Sequence, residues 1–313
     1  MGIVFGPVPS RRYGVSLGLD IVPLKTCTFS CVYCEVGRTT NMTIERHPFV
    51  LKEDLAGELK EVIQVKGVKP DYITFAGSGE PTLNSEIGRM IKHIKRTYPD
   101  YPVVVLTNGS LLWMKEVREE LLDADIVEAS LDTVVEEEYK KLNRPHRDIL
   151  LSLYIAGLFE FRKVYKGRFI IEVLFAKGIN DTEENISRLG DILKRLEPDS
   201  VHLNTVVRPP AEKGIEPVDE AFLGKVKERL GRNVEVSTVF HGTKTGFENI
   251  RDNILKALII RPMSREDMQQ GFNIGEEELD EYLKDLRKRG LIEEVEFGGK
   301  KYFQGIRYKG NIS

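Results

Sequence analysis

The sequence predicts an α/β protein built from repeated strand–helix units and ended by a small second domain. Six short runs of β-branched and apolar residues each precede a stretch with apolar residues at helical spacing. Near Gly246 this alternation gives way to three helical segments and a hairpin. The length of 313 residues suffices for one large core and a small added domain.

The first strand is read at Val15–Val22, and a helix follows at Leu51–Val65 with Leu55, Leu59, Val62 and Ile63 at helical spacing. The unit then repeats: Tyr72–Ala76 with Glu86–Thr97, Val103–Thr107 with Leu112–Leu122, and Ile126–Leu131 with Ile149–Val164. Phe169–Phe175 with Thr182–Leu196 and Val201–Val206 with Glu220–Leu230 complete it. Strands that alternate with helices form parallel sheets with right-handed crossovers. Six units suit an open doubly wound sheet or a partial barrel, and in both, ligands collect at the carboxyl ends of the strands. Residues 1–240 are assigned to this domain.

Residues 247–313 read as a winged helix. "NILKALIIRP" is a short amphipathic helix stopped by Pro262, and Ser264 with Asp267 three residues on caps a second. "GEEELDEYLKDLRKRG" is a third, with acids first, bases last and Gly290 at its end, the order that suits the helix dipole. Two alternating runs around Gly298-Gly299 make the hairpin. A DNA-reading third helix meets the major groove with its N-terminal end. Here that end is Glu276, Glu277 and Glu278, which repel phosphate, while Arg287, Lys288 and Arg289 sit at the far end. A protein-docking module is therefore favoured, with nucleic acid possible but not favoured.

The formal charge of −3 gives no global pull toward nucleic acid or an anionic membrane. No apolar run approaches the ~20 residues of a membrane span. The N-terminus "MGIVFGPVPSRRYG" lacks the basic start and long apolar core of a signal peptide. A cytoplasmic protein is expected.

All three cysteines lie in "CTFSCVYC", as Cys27, Cys31 and Cys34. At i, i+4 and i+7 they would share one face of a helix, yet Pro23, Thr26, Thr28, Ser30 and Val32 disfavour a helix there. Structural zinc wants four ligands, usually as two paired knuckles, and no histidine lies nearby in sequence. A catalytic thiol needs only one. An iron–sulfur cluster suits closely spaced thiolates on a loop, and three thiolates leave one iron of a four-iron cluster open for chemistry.

Cys27-x-x-x-Cys31-x-x-Cys34, with Tyr33 before the last cysteine, resembles the signature of the radical S-adenosylmethionine (radical SAM) superfamily. The resemblance implies a partial (β/α)6 barrel of the TIM type, a [4Fe–4S] cluster on the three cysteines, and S-adenosylmethionine chelated to the open iron. It further implies reductive cleavage to a 5′-deoxyadenosyl radical that abstracts hydrogen from substrate, with an external electron donor of the ferredoxin or flavodoxin type.

Glycines past the second strand let backbone approach a ligand closely, and Glu80 can accept from an ammonium. Gly77-Ser78-Gly79-Glu80-Pro81 resembles the family's Gly-Gly-Glu-Pro, with Ser78 in place of the first glycine, and so implicates Ser78, Gly79 and Glu80 in holding the methionine amino group. Asn108, in Thr107-Asn108-Gly109, ends the third strand. Ser130 and Asp132 fall where the family often contacts the ribose, and Ile179-Asn180 resembles its adenine-contacting turn. Arg11, Arg12 and Arg144 are candidates for an acidic substrate or the cofactor carboxylate.

"GPVPSRR" and "VGRTT" most resemble a group placed beside the wyosine-base synthases that act on transfer RNA. That activity is not carried over, because no cysteine is left for the second cluster expected of those enzymes. Two other readings stay open: a transfer-RNA-base-modifying radical enzyme, and a non-catalytic iron–sulfur or metal sensor with a DNA-binding winged helix. The substrate is not encoded in any motif.

Overall fold

The structure, a computed structural model, describes residues 2–10, 12–231, 233–236, 250–272 and 274–306. Arg11 therefore lies outside the described residues.

Strand β1 (Val4–Pro9) runs antiparallel to β2 (Val15–Leu19). A long loop with two short paired strands, β3 (Thr26–Cys27) and β4 (Asn41–Met42), leads to α1 (Lys52–Leu59) and a π-helical stretch, Lys60–Val65. The strand–helix repeat follows as β5 (Tyr72–Phe75), α2 (Ile87–Thr97), β6 (Val103–Thr107) and α3 (Lys115–Glu120). Two helices, α4 (Glu136–Leu142) and α5 (Leu151–Val164), come after β7 (Ile126–Ser130). Then β8 (Arg168–Phe175), α6 (Glu183–Leu196), β9 (Ser200–Thr205), α7 (Glu220–Leu230) and β10 (Val234–Val236) end the sheet.

The eight strands lie in the order β1-β2-β5-β6-β7-β8-β9-β10, parallel from β2 onward. That sequential order decides between the two architectures open at first. A doubly wound sheet reverses direction at a switch point, whereas a singly wound one keeps its helices on one side and has an inner face to enclose. The outer face is apolar: Leu17, Leu19, Ile73, Phe75, Val103, Val105, Val127 and Phe169 join one core with the helices. The inner face carries buried Ser16, Thr74, Glu128, His202 and Asn204. The arrangement is that of a partial barrel.

Six parallel strands were expected and a seventh, β10, is present, with β1 added at the edge. Pro7 and Pro9 obscure β1 in the sequence, and an edge strand is where proline is tolerated.

The C-terminal segment contains α8 (Ile250–Ile260), α9 (Arg265–Phe272), α10 (Glu276–Lys288) and the hairpin β11 (Ile292–Phe297) and β12 (Lys300–Gly305). Ser264 and Asp267 cap α9 reciprocally, each backbone N–H meeting the other's side-chain oxygen at 3.1 Å. Gly298 and Gly299 both take positive φ, as the tight turn requires.

The segment does not have a private core. Phe5 and Val8 of β1 are buried with Ile254, Leu258, Phe272, Leu283 and Phe303, so the edge strand is sandwiched between barrel and C-terminal helices. Gly18 makes this possible: a Cβ there would fall 2.1 Å from the Phe5 ring. No helix among the described residues is long and apolar enough to cross a membrane.

Candidate functional site

The three thiols sit on the loop that leaves β2, at the carboxyl end of the sheet. Its shape is set by backbone bonds to the segment after β7. Ser30 and Val32 donate to the carbonyls of Asn143 and Leu142 at 3.0 and 2.9 Å, and His146 donates to Thr28 at 2.8 Å. Phe29 is 2% exposed, with its ring edge against Tyr139 and Tyr154. Cys34 N–H and Gly37 N–H close two successive turns onto Cys31 and Cys34. The loop is thus irregular but fixed, which excludes the helical stripe.

Two amides address the sulfurs. Asn108 Nδ2 lies 3.5 Å from Cys27 Sγ and 2.7 Å from Thr28 Oγ1. Asn143 Nδ2 lies 3.6 Å from Cys31 Sγ and 2.7 Å from Asp132 Oδ2. Amide donors favour thiolate over thiol, since a neutral thiol is a weak acceptor. Burial, then Glu80, pushes the Cys27 thiol up to about 12, and burial followed by Asp132 pushes Cys31 well above its usual value. A cationic metal core is what reverses such shifts. Among the described residues, no three His, Cys, Asp or Glu side chains are grouped closely enough to meet one ion. In a four-iron cluster each thiolate meets a different iron, and the donor set fits that group.

Gly79 locks the Gly77–Pro81 turn under this loop. Glu80 N–H donates to Thr26 O at 3.1 Å and Lys25 N–H to Ser78 O at 2.8 Å. A Cβ on Gly79 would stand 2.0 Å from Thr26 O and 2.9 Å from Val22 Cγ2. Neither can yield without moving the cluster loop. Gly79→Ala is expected to cost about 2–3 kcal/mol, toward the upper end for overpacking, and to lower iron content; chemical denaturation and iron analysis check both. Ser78 Oγ donates to Asp20 Oδ2 at 2.6 Å. Glu80 is 2% exposed and accepts from Thr82 N and Oγ1, Thr107 Oγ1 and Asn108 N. Burial raises its pKa, opposed by those bonds.

The sequence placed Asp132 against a ribose. Its Oδ1 accepts from Leu174 N at 2.9 Å, and its Oδ2 from Tyr33 OH at 2.5 Å and from Asn143 Nδ2 at 2.7 Å. Burial pushes it up to about 6. The geometry makes it the hub that fixes Tyr33 and Asn143 beside the thiols.

Asn180 is fully buried and ties the turn after β8, donating to Asp132 O and Leu174 O and accepting from Ala176 N, all at 2.8 Å. Thr182, not Asn180 or Asp181, caps α6. Ile179 is half-buried against the cluster of Val32, Leu174 and Val206. Ser130 ends β7; its carbonyl accepts from Tyr154 OH, and its own hydroxyl has no protein partner among the described residues.

A cavity of about 340 Å³ opens beside the loop, with Tyr33 and Cys34 on one side and Arg12, Glu172 and Asn204 on the other. Arg144 is not among the residues lining it; 44% exposed, it pairs with Glu212 at 2.7 Å. Arg12 does line it, but paired: Nη1 reaches Glu128 at 2.5 Å and Glu172 at 2.6 Å. Burial alone would lower the pKa of this guanidinium, and Glu172 and Glu128 outweigh that and raise it.

Glu128, Glu172 and His202 were missed in the sequence, as was Asn143. The first three had a signal: a charged or ionisable residue inside a buried parallel strand, as in "IVEAS", "IIEVLF" and "VHLNT", is unexpected unless paired. Asn143 had none, since its partner sulfur is 112 residues away.

A singly wound parallel barrel carrying three thiols on the loop after its first parallel strand is the frame of an enzyme that works through a metal cluster. Residues 21–190 match the Radical SAM superfamily, and the chain belongs to it. It is a radical SAM enzyme, and the superfamily uses a [4Fe–4S] cluster and S-adenosylmethionine. UPF0026 protein MJ1312 of Methanocaldococcus jannaschii is 36% identical over 310 residues, 97% of this chain and 96% of that protein. A GTP 3′,8-cyclase of Lactiplantibacillus plantarum is 30% identical over 166 residues, 50% of this chain and 45% of that protein. The fold is shared with a radical SAM methyltransferase from Sphaerobacter thermophilus, at a TM-score of 0.56 and 17% identity, over 71% of this chain and 65% of that one.

Proposed function

We propose that the protein cleaves S-adenosylmethionine reductively and abstracts hydrogen from a substrate held in the barrel cavity. The observation that carries this is the joint placement of the thiol loop and the cavity: Cys34 and Tyr33 line the same space as the inner face of the sheet. Cys27, Cys31 and Cys34 would hold the cluster, which would supply the electron for reductive cleavage of S-adenosylmethionine to the 5′-deoxyadenosyl radical.

The chain's own residues position and shield. Asn108 and Asn143 steady the thiolates of Cys27 and Cys31 by donating to sulfur. Ser78, Gly79 and Glu80 form the shelf for the amino-acid end of S-adenosylmethionine, Ser130 offers a hydroxyl to the ribose, and Ile179 gives the adenine an apolar neighbour. Asp132 acts through Tyr33. Electrons come from an external donor of the ferredoxin or flavodoxin type.

The C-terminal helices and hairpin are read as a winged helix, residues 247–313, that docks a protein. Exposed Glu276, Glu277 and Glu278 at the head of α10 support this over nucleic acid. Its seat beside the cavity mouth is fixed by Tyr302 OH on Val207 O at 2.9 Å and by Arg208, which lies 3.1 Å from Glu35 and 4.0 Å from Asp267.

The test is anaerobic. Cluster-loaded protein, reduced in the presence of S-adenosylmethionine, is expected to release 5′-deoxyadenosine, read by chromatography. A fully loaded, reduced protein that releases none, with candidate substrates present, would favour the sensor reading.

A further inference from the structure

The cavity floor has an unused acceptor. Glu172 Oε1 takes two donors, Arg12 Nη1 at 2.6 Å and Asn204 Nδ2 at 3.1 Å. Its Oε2 has no partner among the described residues, and the side chain, 21% exposed, lines the cavity. Glu172 is therefore rigidly aimed, with one oxygen left over.

Charge decides what that oxygen would accept. Arg12 brings one positive charge to two carboxylates, Glu128 and Glu172. Glu128 is 2% exposed at its side chain and also takes Tyr13 OH and His202 Nδ1, the latter at 3.2 Å. Arg12 holds it ionised against burial. Two carboxylates against one guanidinium leave the floor around Glu172 with a surplus negative charge, while Arg208, paired with Glu35 at 3.1 Å, and Arg261 also line the cavity. His202 stands between Glu128 and Glu235, at 3.2 and 3.8 Å, and brings no donor to Oε2. Remaining N–H groups of Arg12 are poor bait for an anion, which would face both carboxylates at close range.

We propose that Glu172 anchors a protonated nitrogen of the substrate, an ammonium or amidinium group, with Arg12 and Asn204 holding the carboxylate in place. This rests on the radical-enzyme reading only in calling the occupant a substrate. A half-buried, rigidly held carboxylate that meets a cation through a charge-assisted hydrogen bond discriminates against neutral and anionic isosteres.

The experiment needs no turnover. Full-length, cluster-loaded, oxidised protein with S-adenosylmethionine bound is titrated by ligand-observed NMR with 2-phenylethylamine, benzamidine, 2-phenylethanol and 3-phenylpropionate. The amine and amidine are expected to bind, and the alcohol and carboxylate to fail to displace them. Glu172→Gln is expected to weaken amine binding at least about tenfold, as loss of a hydrogen bond between charged groups implies. Iron content and thermal melting report whether the variant is intact. Carboxylate binding as tight as amine binding by the wild type overturns the proposal without reference to any variant, as does unchanged amine affinity in an intact Glu172→Gln. Neither outcome touches cleavage of S-adenosylmethionine, and failure of that cleavage leaves these titrations standing.

Discussion

Cys31→Ala is expected to empty the loop of iron. Anaerobically reconstituted wild type should carry about four irons and four labile sulfides per chain, and the variant close to none, with release of 5′-deoxyadenosine lost at least about 100-fold. Losing even an outer-shell partner typically costs 10–100-fold at a metal site, and Cys31 is read as a direct ligand. It is also the thiol addressed by Asn143, whose amide joins it to Asp132 and, through that carboxylate, to Tyr33. The fold should survive, because the loop is held by Phe29 and by backbone bonds from Ser30 and Val32 rather than by the thiol. Circular dichroism of the metal-free forms should therefore coincide. Full iron retention in the variant would remove Cys31 from the ligand set.

Glu128→Ala is expected to destabilise the barrel by about 3 kcal/mol, the lower end for removing one partner of a buried pair. Arg12 keeps Glu172, which limits the loss, while Tyr13 OH and His202 Nδ1 lose their acceptor. Burial raises the Glu128 pKa, but Arg12, and after it His202 and Tyr13, bring it below the ordinary 4.5. A carboxylate depressed on folding contributes stability that is present above its unfolded pKa and lost as pH falls through the folded one. The wild type should thus lose this contribution below about pH 4.5, and the variant should show a flatter acid limb. Arg12, Tyr13, His202 and Glu172, with Glu235 beyond His202 at 3.8 Å, are the charged or titratable groups in this network. Urea denaturation across that range measures both effects.

The elements that announced themselves in the sequence were those with a local cause. Val103–Thr107 and Glu220–Leu230 fall where the apolar pattern put them, and Ser264–Asp267 and Gly298-Gly299 follow from cap and turn chemistry. Each depends on neighbours within a few residues. The long helix at Leu51–Val65 was only half right, because Leu55 and Leu59 are buried while the stretch from Lys60 buries nothing fully and widens into a π-helix. Helix α4 escaped notice: its seven residues give little room for a period, and three glutamates open it.

The thiol loop was legible as a spacing, but the groups that serve it were not. Asn108 stood out only as a strand end, and Asn143 not at all, since both act on sulfurs about a hundred residues away. Asp132 was placed correctly on the strand exit, yet its bonds to Tyr33, Asn143 and Leu174 N depend on three separate segments. In the sequence Arg12 is a candidate for an acidic substrate or the cofactor carboxylate. Its two carboxylates come from β7 and β8, and no local pattern joins them to residue 12.

The most direct test of the central claim is electron paramagnetic resonance of the reduced, anaerobically loaded protein with and without S-adenosylmethionine. Three thiolate ligands would leave one iron for the cofactor. The account predicts a reduced [4Fe–4S] signal that changes when S-adenosylmethionine is added, with hyperfine coupling to label placed in its amino and carboxylate groups. A cluster signal that S-adenosylmethionine leaves unaltered, without coupling to the label, would contradict it.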